Sequence, residues 1–337
     1  MISFLISAIK IIFLLGFLIF IHESGHFLVA KACKIRVNEF AIGFGPTIWK
    51  KQGKETKYAL RLIPLGGFVN MLGEEERSNE EGSFSTASIP KRIAVVLAGG
   101  AVNILFGLLV YFILVSCRGN YISNIVDSTV TNYVAQEAQI QQNDKIIKID
   151  GKKIRLKSDV NKALQNSNGK EITLTIKRNE EIQEIKLVPT KDETTETYKL
   201  GIVFKVAENT FTNNIYYGFW DTVDFSVSII DNLKQLFTGK VSTDQLMGPV
   251  GISETVSKTK GIVEFIYMLA LISLSLGVTN LLPFPPLDGG KIVILIIEAI
   301  RRKPMKENIE ISIQMAGFCL LIGLSIFVTY NDILRIF

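Results

Sequence analysis

Four apolar segments alternate with charged and polar stretches along the chain. They cover residues 8–30, 91–115, 262–286 and 311–330. An apolar helix of about 20 residues rises about 30 Å, which matches the hydrocarbon thickness of a bilayer. The first segment lacks the positive n-region of a signal peptide and is longer than a typical h-region, so we expect it to stay uncleaved. The pattern therefore predicts a polytopic α-helical membrane protein with about four transmembrane helices.

Basic residues are concentrated in two of the connecting loops. Residues 31–92 hold eleven Lys and Arg, and the loop after the third apolar segment holds Arg301, Arg302, Lys303 and Lys306. Cytoplasmic loops carry an excess of Lys and Arg. This rule predicts that both loops lie in the cytoplasm, whereas both termini and residues 116–260 lie outside.

A strand pair is predicted within the first basic loop, over residues 40–70. The segment alternates in places, ends in LIPLGGFV, and has Gln52-Gly53 where a hairpin turn is expected. A hairpin that dips into the membrane beside the first helix offers an edge to an extended peptide. An ordinary surface hairpin fits these residues equally well.

The segment after the second apolar run is charged and rich in strand patterns. NDKIIKIDGKKI, SDVNKALQ and EITLTIKRNEEIQEIKLVP predict, in order, two strands around a turn, a helix and a β-hairpin. AQEAQIQQNDKIIKIDGKK resembles the sequence pattern of PDZ domains. Asn143 stands where that family usually has Gly, and Asp150 where it usually has Asn, but both residues tolerate turns.

The PDZ resemblance implies an inserted extracytoplasmic α+β domain over residues 116–205. Such domains bind peptide ends or strands by β-augmentation, although a filter that excludes large proteins is an open alternative. Residues 206–260 then form an extracytoplasmic amphipathic linker, in which the aromatic-rich stretch 211–238 suits a helix at the outer membrane interface.

Composition narrows the classes of function. Hydrophobic residues make up 48% of the chain and charged residues 20%, with a net charge of +5. No basic stripe is interleaved with aromatic residues, so we expect no nucleic-acid partner. Cys33, Cys117 and Cys319 are odd in number and far apart, which predicts neither a disulfide framework nor a CxxC metal site.

The first apolar segment contains the only two histidines of the chain, in the run HESGH. His22 and His26, four residues apart, share one helix face and can hold one metal ion, while Glu23 can activate its water. Ionisable groups are costly at membrane depth, which favours a function for them. An open zinc site takes three protein ligands, so a carboxylate or thiolate is still required.

Asp288 is the candidate third ligand. It lies in NLLPFPPLDGG, where Pro and Gly interrupt the third apolar segment. Broken backbone at membrane depth persists where it is buried in protein or lines a wet cavity. Taken alone, Asp288 fits better as the cap of the following helix, and its combination with HESGH favours the role of a ligand. In the second segment, residues 98–101 permit close helix contact, and Asn103 is interpreted as a polar contact between helices.

Together these motifs resemble bacterial site-2 proteases of the RseP type. HExGH, the small-residue second span ending in Asn103, one PDZ domain, GPVGI and N-x-x-P-x-x-x-L-D-G carry the resemblance over essentially the whole chain. It implies a zinc-dependent intramembrane endopeptidase of the bacterial inner membrane, with one Zn²⁺ per chain held by His22, His26 and Asp288. Glu23 is then the catalytic general base.

The resemblance also implies that Asn280 binds the substrate backbone or the developing oxyanion. The implied partners are the lipid bilayer and membrane-spanning proteins, such as anti-sigma factors or remnant signal peptides. Residues 1–115 and 261–337 form the helical part under this hypothesis. The chain departs from the family at Gly100, usually Pro, and Lys291, frequently His. A catalytically inactive PDZ receptor and a metal transporter are the alternatives, although no repeat relates the two ends of the chain.

Overall fold

The computed structural model of the chain describes residues 2–74, 76–192, 195–237 and 248–336. The chain divides into two compact units. One comprises Met1–Tyr111 and Ile229–Phe337, and the other comprises Phe112–Ser228. Apolar helices dominate the first unit, and a β-sheet dominates the second.

In the described part of the chain, four helices are long and apolar enough to cross a bilayer. This confirms the number of long apolar helices that the hydrophobic pattern predicts. The helices extend beyond three of the predicted segments, because the helical backbone continues past the most apolar residues at their ends. They are α1 (Ile2–Ala32), α2 (Ile89–Arg118), α7 (Ile262–Asn280) and α9 (Glu307–Ile336).

The third predicted segment, 262–286, is too long at its C-terminal end. Helix α7 stops at Asn280, and a separate helix α8 begins at Asp288 and ends at Arg301. Pro283, Pro285 and Pro286 lie between them and cannot continue the hydrogen-bond ladder. The connection folds tightly onto the start of α8, since a Cβ at Gly289 would lie 2.1 Å from the Leu282 carbonyl oxygen.

Small residues allow the apolar helices to pack backbone to backbone. A Cβ at Gly25 of α1 would lie 2.5 Å from the carbonyl oxygen of Ala98 in α2. In the same way, a Cβ at Gly277 of α7 would lie 2.6 Å from the Gly100 carbonyl oxygen. The small-residue run of α2 therefore forms two close contacts, one with α1 and one with α7.

Between α1 and α2 lies a two-stranded sheet of β1 (Val37–Gln52) and β2 (Lys57–Met71). The turn is closed by a hydrogen bond from the Gly53 N–H to the Thr56 carbonyl oxygen. Each strand bends, and Ile42 of β1 is registered with both Leu60 and Gly67 of β2. The part of β2 after this bend runs beside α1, since a Cβ at Gly67 would lie 3.0 Å from Ile19 Cγ2.

The second unit contains a sheet with the strand order β10-β3-β4-β6-β7, in which β5 pairs with β4. The predicted succession of two strands, a helix and a hairpin is present. Its core is formed by apolar side chains that include Ile146, Ile149, Leu174 and Ile176. The elements are β3 (Ile122–Thr129), α3 (Val134–Glu137), β4 (Lys145–Ile149), β5 (Lys152–Lys153), α4 (Lys157–Ser167), β6 (Ile172–Arg178), β7 (Glu181–Leu187), β8 (Thr190–Asp192), β9 (Thr197–Lys199) and β10 (Ile202–Val206).

The two departures from the PDZ pattern are compatible with this unit. Asn143 and Asp150 both adopt positive φ angles, of 75° and 49°, at turns on either side of β4. Asn and Asp are the non-glycine residues that tolerate this backbone region best. The substitutions therefore preserve the turns that the pattern requires.

The predicted linker, 206–260, contains two helices, α5 (Phe211–Phe237) and α6 (Pro249–Ser257), and its residues 238–247 lie outside the described chain. The start of α6 is fixed by α9, because the Gly251 N–H donates to Asp332 Oδ2 at 2.7 Å. Lys10, the one lysine within the apolar run of α1, donates to the Thr259 carbonyl oxygen at 2.8 Å. This hydrogen bond gives the charged ammonium group of Lys10 a polar partner among apolar residues.

Candidate metal centre

Helix α1 places both histidines on one face, one turn apart. Their Nε2 atoms lie 3.2 Å from each other, with the two rings nearly perpendicular at 84°. His26 is held in this position by its other ring nitrogen, since Nδ1 lies 2.9 Å from the Val95 carbonyl oxygen of α2. That carbonyl can accept only if Nδ1 carries the proton, which leaves the Nε2 lone pair of His26 free.

Asp288, the first residue of α8, completes a cluster with these two histidines. Its Oδ2 lies 3.3 Å from His22 Nε2 and 3.5 Å from His26 Nε2. The three candidate ligand atoms all lie within 4.8 Å of one another. Residues more than 250 positions apart in sequence therefore converge on one point.

The geometry of this cluster fits a zinc ion. With ligand bonds of about 2.0–2.1 Å, neighbouring corners of a tetrahedron lie about 3.3 Å apart. The observed edges of 3.2, 3.3 and 3.5 Å match one face of such a tetrahedron. Asp288 Oδ2 is buried and accepts no hydrogen bond from the described residues, which is costly for an oxygen without a cation. These three side chains leave the fourth position of the tetrahedron open for water or substrate, as in catalytic zinc sites.

Gly99 of α2 lies directly against the two histidines. A Cβ at this position would lie 2.3 Å from His26 Nε2 and 2.8 Å from His22 Cε1. Such distances are far below van der Waals contact, so any side chain here would displace the rings. Glycine at position 99 is therefore a requirement of the metal cluster as well as of helix packing.

Glu23 lines a cavity of about 380 Å³ together with His26 and Asp288. Charged side chains from the segment after β2, from α8 and from α9 line it as well. Two of them form an ion pair, in which Lys291 Nζ lies 2.7 Å from Glu74 Oε1. A polar cavity of this size at the cluster gives water a route to it.

The bent strand β2 passes close to Glu23. A Cβ at Gly67 would lie 3.2 Å from Glu23 Cγ and 3.0 Å from the Ala41 carbonyl oxygen of β1. Gly67, Phe68 and Val69 also line the cavity. An extended backbone therefore runs past the acid that is adjacent to the metal cluster.

The structure brings together four of the five residues that the sequence singles out. His22, His26 and Asp288 form the cluster, and Glu23 lines the cavity beside it. Asn280, half-buried at the end of α7, is not among the described residues that line the cavity.

Sequence reasoning missed the contact of Gly99 with the histidine rings and the pairing of Glu74 with Lys291. A glycine between two membrane helices signals close packing, but it does not indicate which atoms approach it. The departure of Lys291 from the family pattern is the one sequence signal for its position, one turn after Asp288.

Comparisons with known proteins identify the family of the chain. The sequence profile described as peptidase family M50 matches residues 10–324. The zinc metalloprotease RasP of Geobacillus kaustophilus is 30% identical over 420 residues, which cover 100% of both chains. The regulator of sigma-W protease RasP of Bacillus subtilis is 30% identical over 421 residues, covering 99% of this chain and 100% of that protein.

Among solved structures, the PDZ domain of the SdrC-like protein of Listeria innocua matches with a TM-score of 0.23. It is 17% identical and covers 26% of this chain and 99% of that chain.

Proposed function

The chain belongs to peptidase family M50 and is a zinc-dependent intramembrane metalloendopeptidase, and on that premise we propose which of its residues perform the reaction. His22, His26 and Asp288 hold the zinc ion, and Glu23 is the general base. The single observation that carries this proposal is the triangle of ligand atoms with edges of 3.2, 3.3 and 3.5 Å. The alternative of an inactive receptor has no comparable observation in its favour.

Zinc, when bound, supplies a Lewis acid that polarises the scissile carbonyl and lowers the pKa of a water molecule to about 7. Glu23 accepts the proton of the attacking water and then delivers it to the leaving amine. It is adjacent to His22 in the chain and lines the same cavity as His26 and Asp288. One carboxylate can therefore serve both proton transfers without moving along the helix.

We assign the binding of an extended substrate to β2 and Asn280. A transmembrane helix hides its carbonyl groups in internal hydrogen bonds, so it must unwind before it is cut. The segment Gly67–Val69 runs along the cavity, and an added strand regains hydrogen bonds that unwinding loses. The resemblance to site-2 proteases supports a contact of Asn280 with the substrate backbone or the developing oxyanion, although this asparagine is not among the described residues that line the cavity.

The substrates that we propose are single-span membrane proteins, cut in regulated intramembrane proteolysis. The printed name of the Bacillus subtilis relative connects that protein to sigma-W, and anti-sigma factors are the corresponding substrate class here. Remnant signal peptides have the same physical form, one apolar helix. The PDZ unit contributes a binding place for a peptide or protein ligand outside the membrane.

A matched pair of substrates tests the requirement for unwinding. Replacing two Leu residues at the cut region of a single-span substrate with Gly lowers helix stability by about 2 kcal/mol. We expect cleavage by the purified enzyme in proteoliposomes to rise by up to roughly 30-fold, since each 1.4 kcal/mol corresponds to a factor of ten. The same two Gly residues at the far end of the span serve as the control. Equal rates for all three substrates would contradict unwinding as a step before cleavage.

We propose an orientation in the inner membrane with both basic loops in the cytoplasm. His26 then lies about 9 Å from the end of α1, because six residues separate it from Ala32 at 1.5 Å each. The metal centre is thus near the cytoplasmic surface, from which water enters the cavity. The PDZ unit lies on the opposite side.

Cysteine labelling tests this orientation. One variant keeps Cys117, which is exposed at the end of α2, and replaces Cys33 and Cys319 with Ser. A second lacks all three cysteines and carries Asn79→Cys in the exposed loop before α2. We expect a membrane-impermeant maleimide to label the first variant in spheroplasts and the second only in inverted vesicles. The opposite pattern would reverse the proposed orientation.

A further inference from the structure

Asn103 lies in α2, completely buried, beside the outer ring nitrogen of His22. Its amide nitrogen Nδ2 is 3.3 Å from His22 Nδ1. Its amide oxygen Oδ1 is also buried and has no hydrogen-bond partner among the described residues. Burying an amide oxygen without a donor costs about 1–3 kcal/mol, so the arrangement is costly as it stands.

This arrangement specifies one tautomer of His22. The Asn103 NH₂ group can only donate, so His22 Nδ1 must accept, and the ring proton must lie on Nε2. Nε2 is the atom that lies 3.2–3.3 Å from the other two candidate ligand atoms. A protonated Nε2 has no lone pair in the ring plane and cannot bind a metal ion. An Asn103 amide with Nδ2 toward His22 is therefore incompatible with zinc binding by His22.

Rotating the Asn103 amide by about 180° removes both difficulties. Oδ1 then accepts a hydrogen bond from His22 Nδ1–H, and Nε2 is left free to bind zinc. We propose that Asn103 is a positioning residue of the metal centre, whose amide oxygen accepts a hydrogen bond from His22 Nδ1–H and holds His22 in the ligating tautomer. The proposal rests on the proposed role of His22 as a ligand.

The two histidines differ in the group that accepts the hydrogen bond from their Nδ1–H. His26 donates to the Val95 carbonyl oxygen, a backbone group that can only accept, so its tautomer is already correct without metal. His22 has a side-chain partner with one donor end and one acceptor end. Second-sphere acceptors of this kind set the tautomer and ring orientation of metal-bound histidines. Asn103 is thus the partner that substitution can remove.

A purely structural role for Asn103 makes different predictions. Its backbone carbonyl accepts a hydrogen bond from Ser273 Oγ of α7 at 2.9 Å, and this contact between helices survives any change of the Asn103 side chain. Ser273→Ala removes the contact and leaves the amide in place. It is the matched control for packing between α2 and α7.

Zinc affinity of the purified full-length protein, measured by competition with a chelator, is the first readout. We expect Asn103→Leu and Asn103→Ala, which lack an acceptor, to bind zinc about 10–100-fold more weakly. Asn103→Asp, which retains an oxygen at the same place, should bind within a few-fold of the unchanged protein, as should Ser273→Ala. The melting temperature of the zinc-free proteins reports packing separately. Unchanged zinc affinity in Asn103→Leu and Asn103→Ala, or equal weakening in Asn103→Asp, overturns the proposal.

The second readout is ¹⁵N NMR of histidine-labelled protein, which is direct because the chain has only two histidines. In the zinc-loaded protein, we expect both rings to be protonated at Nδ1 and both Nε2 signals to be shifted by the metal. If His22 is protonated at Nε2 in the zinc-loaded protein, the Asn103 proposal fails. If zinc changes neither ring, the ligand assignment itself fails, which separates that failure from a failure of the Asn103 proposal.

Discussion

Glu23→Gln is expected to reduce cleavage of a tagged single-span substrate by about 10²–10⁴-fold, the usual contribution of a positioned acid–base group. The amide has the size and shape of the carboxylate, but it cannot accept the proton of the attacking water. Since Glu23 contributes none of the three proposed ligand atoms, zinc content should stay at one ion per chain. The measurements are cleavage rates in proteoliposomes and elemental analysis of the same preparation.

Glu55→Gln is the matched control for this substitution. Glu55 lies exposed at the turn between β1 and β2, where it pairs with Lys31 at 2.6 Å. An exposed pair of this kind contributes at most about 1 kcal/mol, so we expect no loss of cleavage. Full activity of Glu23→Gln with zinc bound would remove Glu23 from the mechanism. Loss of zinc together with activity would instead make Glu23 a part of the metal site.

The metal centre could be predicted from the sequence because each of its two halves lies within one short segment of the chain. HESGH places three functional groups on one helix turn, and helical geometry alone determines which of them share a face. The proline-rich break before Asp288 marks the second half only in combination with HESGH, because broken backbone in an apolar segment needs a reason but Asp288 alone also fits a helix cap. What no sequence pattern provides is the 3.3 Å distance between the two halves.

The β-structure was less predictable for a related reason. Strands β4 to β7 follow one another closely, and turn residues mark their boundaries. Strand β3 pairs with β10, which is more than 70 residues later, and nothing in either strand specifies that partner. The same holds for Ile42, which faces both Leu60 and Gly67, because a bent strand can use both of its edges. Pairing at a distance is decided by packing of the whole unit.

Two residues of α2 show most clearly what cannot be predicted from the sequence. Asn103 and Gly99 carry the general signature of helix packing in membranes, a polar contact and a small surface. Both contact other helices, and both also lie against the histidine rings. Asn103 Nδ2 is 3.3 Å from His22 Nδ1, and a Cβ at Gly99 would lie 2.3 Å from His26 Nε2. A residue type indicates what a position tolerates. It does not indicate which neighbour imposes the constraint.

Asp288→Asn should lower zinc affinity by more than about 100-fold, a larger effect than the 10–100-fold typical of residues that only support a ligand. The substitution preserves volume and replaces an anionic carboxylate ligand with a neutral amide, which binds zinc more weakly. It also separates the two interpretations of Asp288, because Asn is as good a helix cap as Asp. If Asp288 only caps α8, the variant keeps its zinc. In the structure Leu287 occupies the N-cap position, and Asp288 Oδ2 accepts no hydrogen bond from the described residues, so we expect the loss.

Asp332→Asn provides the control for that measurement, since Asp332 is also a buried carboxylate next to the start of a helix. It accepts a hydrogen bond from the Gly251 N–H at 2.7 Å and pairs with Arg335 at 2.9 Å. Its substitution should lower the melting temperature and leave zinc affinity unchanged. Chelator competition and elemental analysis on both variants then distinguish a lost ligand from a weakened fold. Retention of full zinc affinity by Asp288→Asn would exclude Asp288 from the ligand set and leave the two histidines without the third protein ligand that an open zinc site requires.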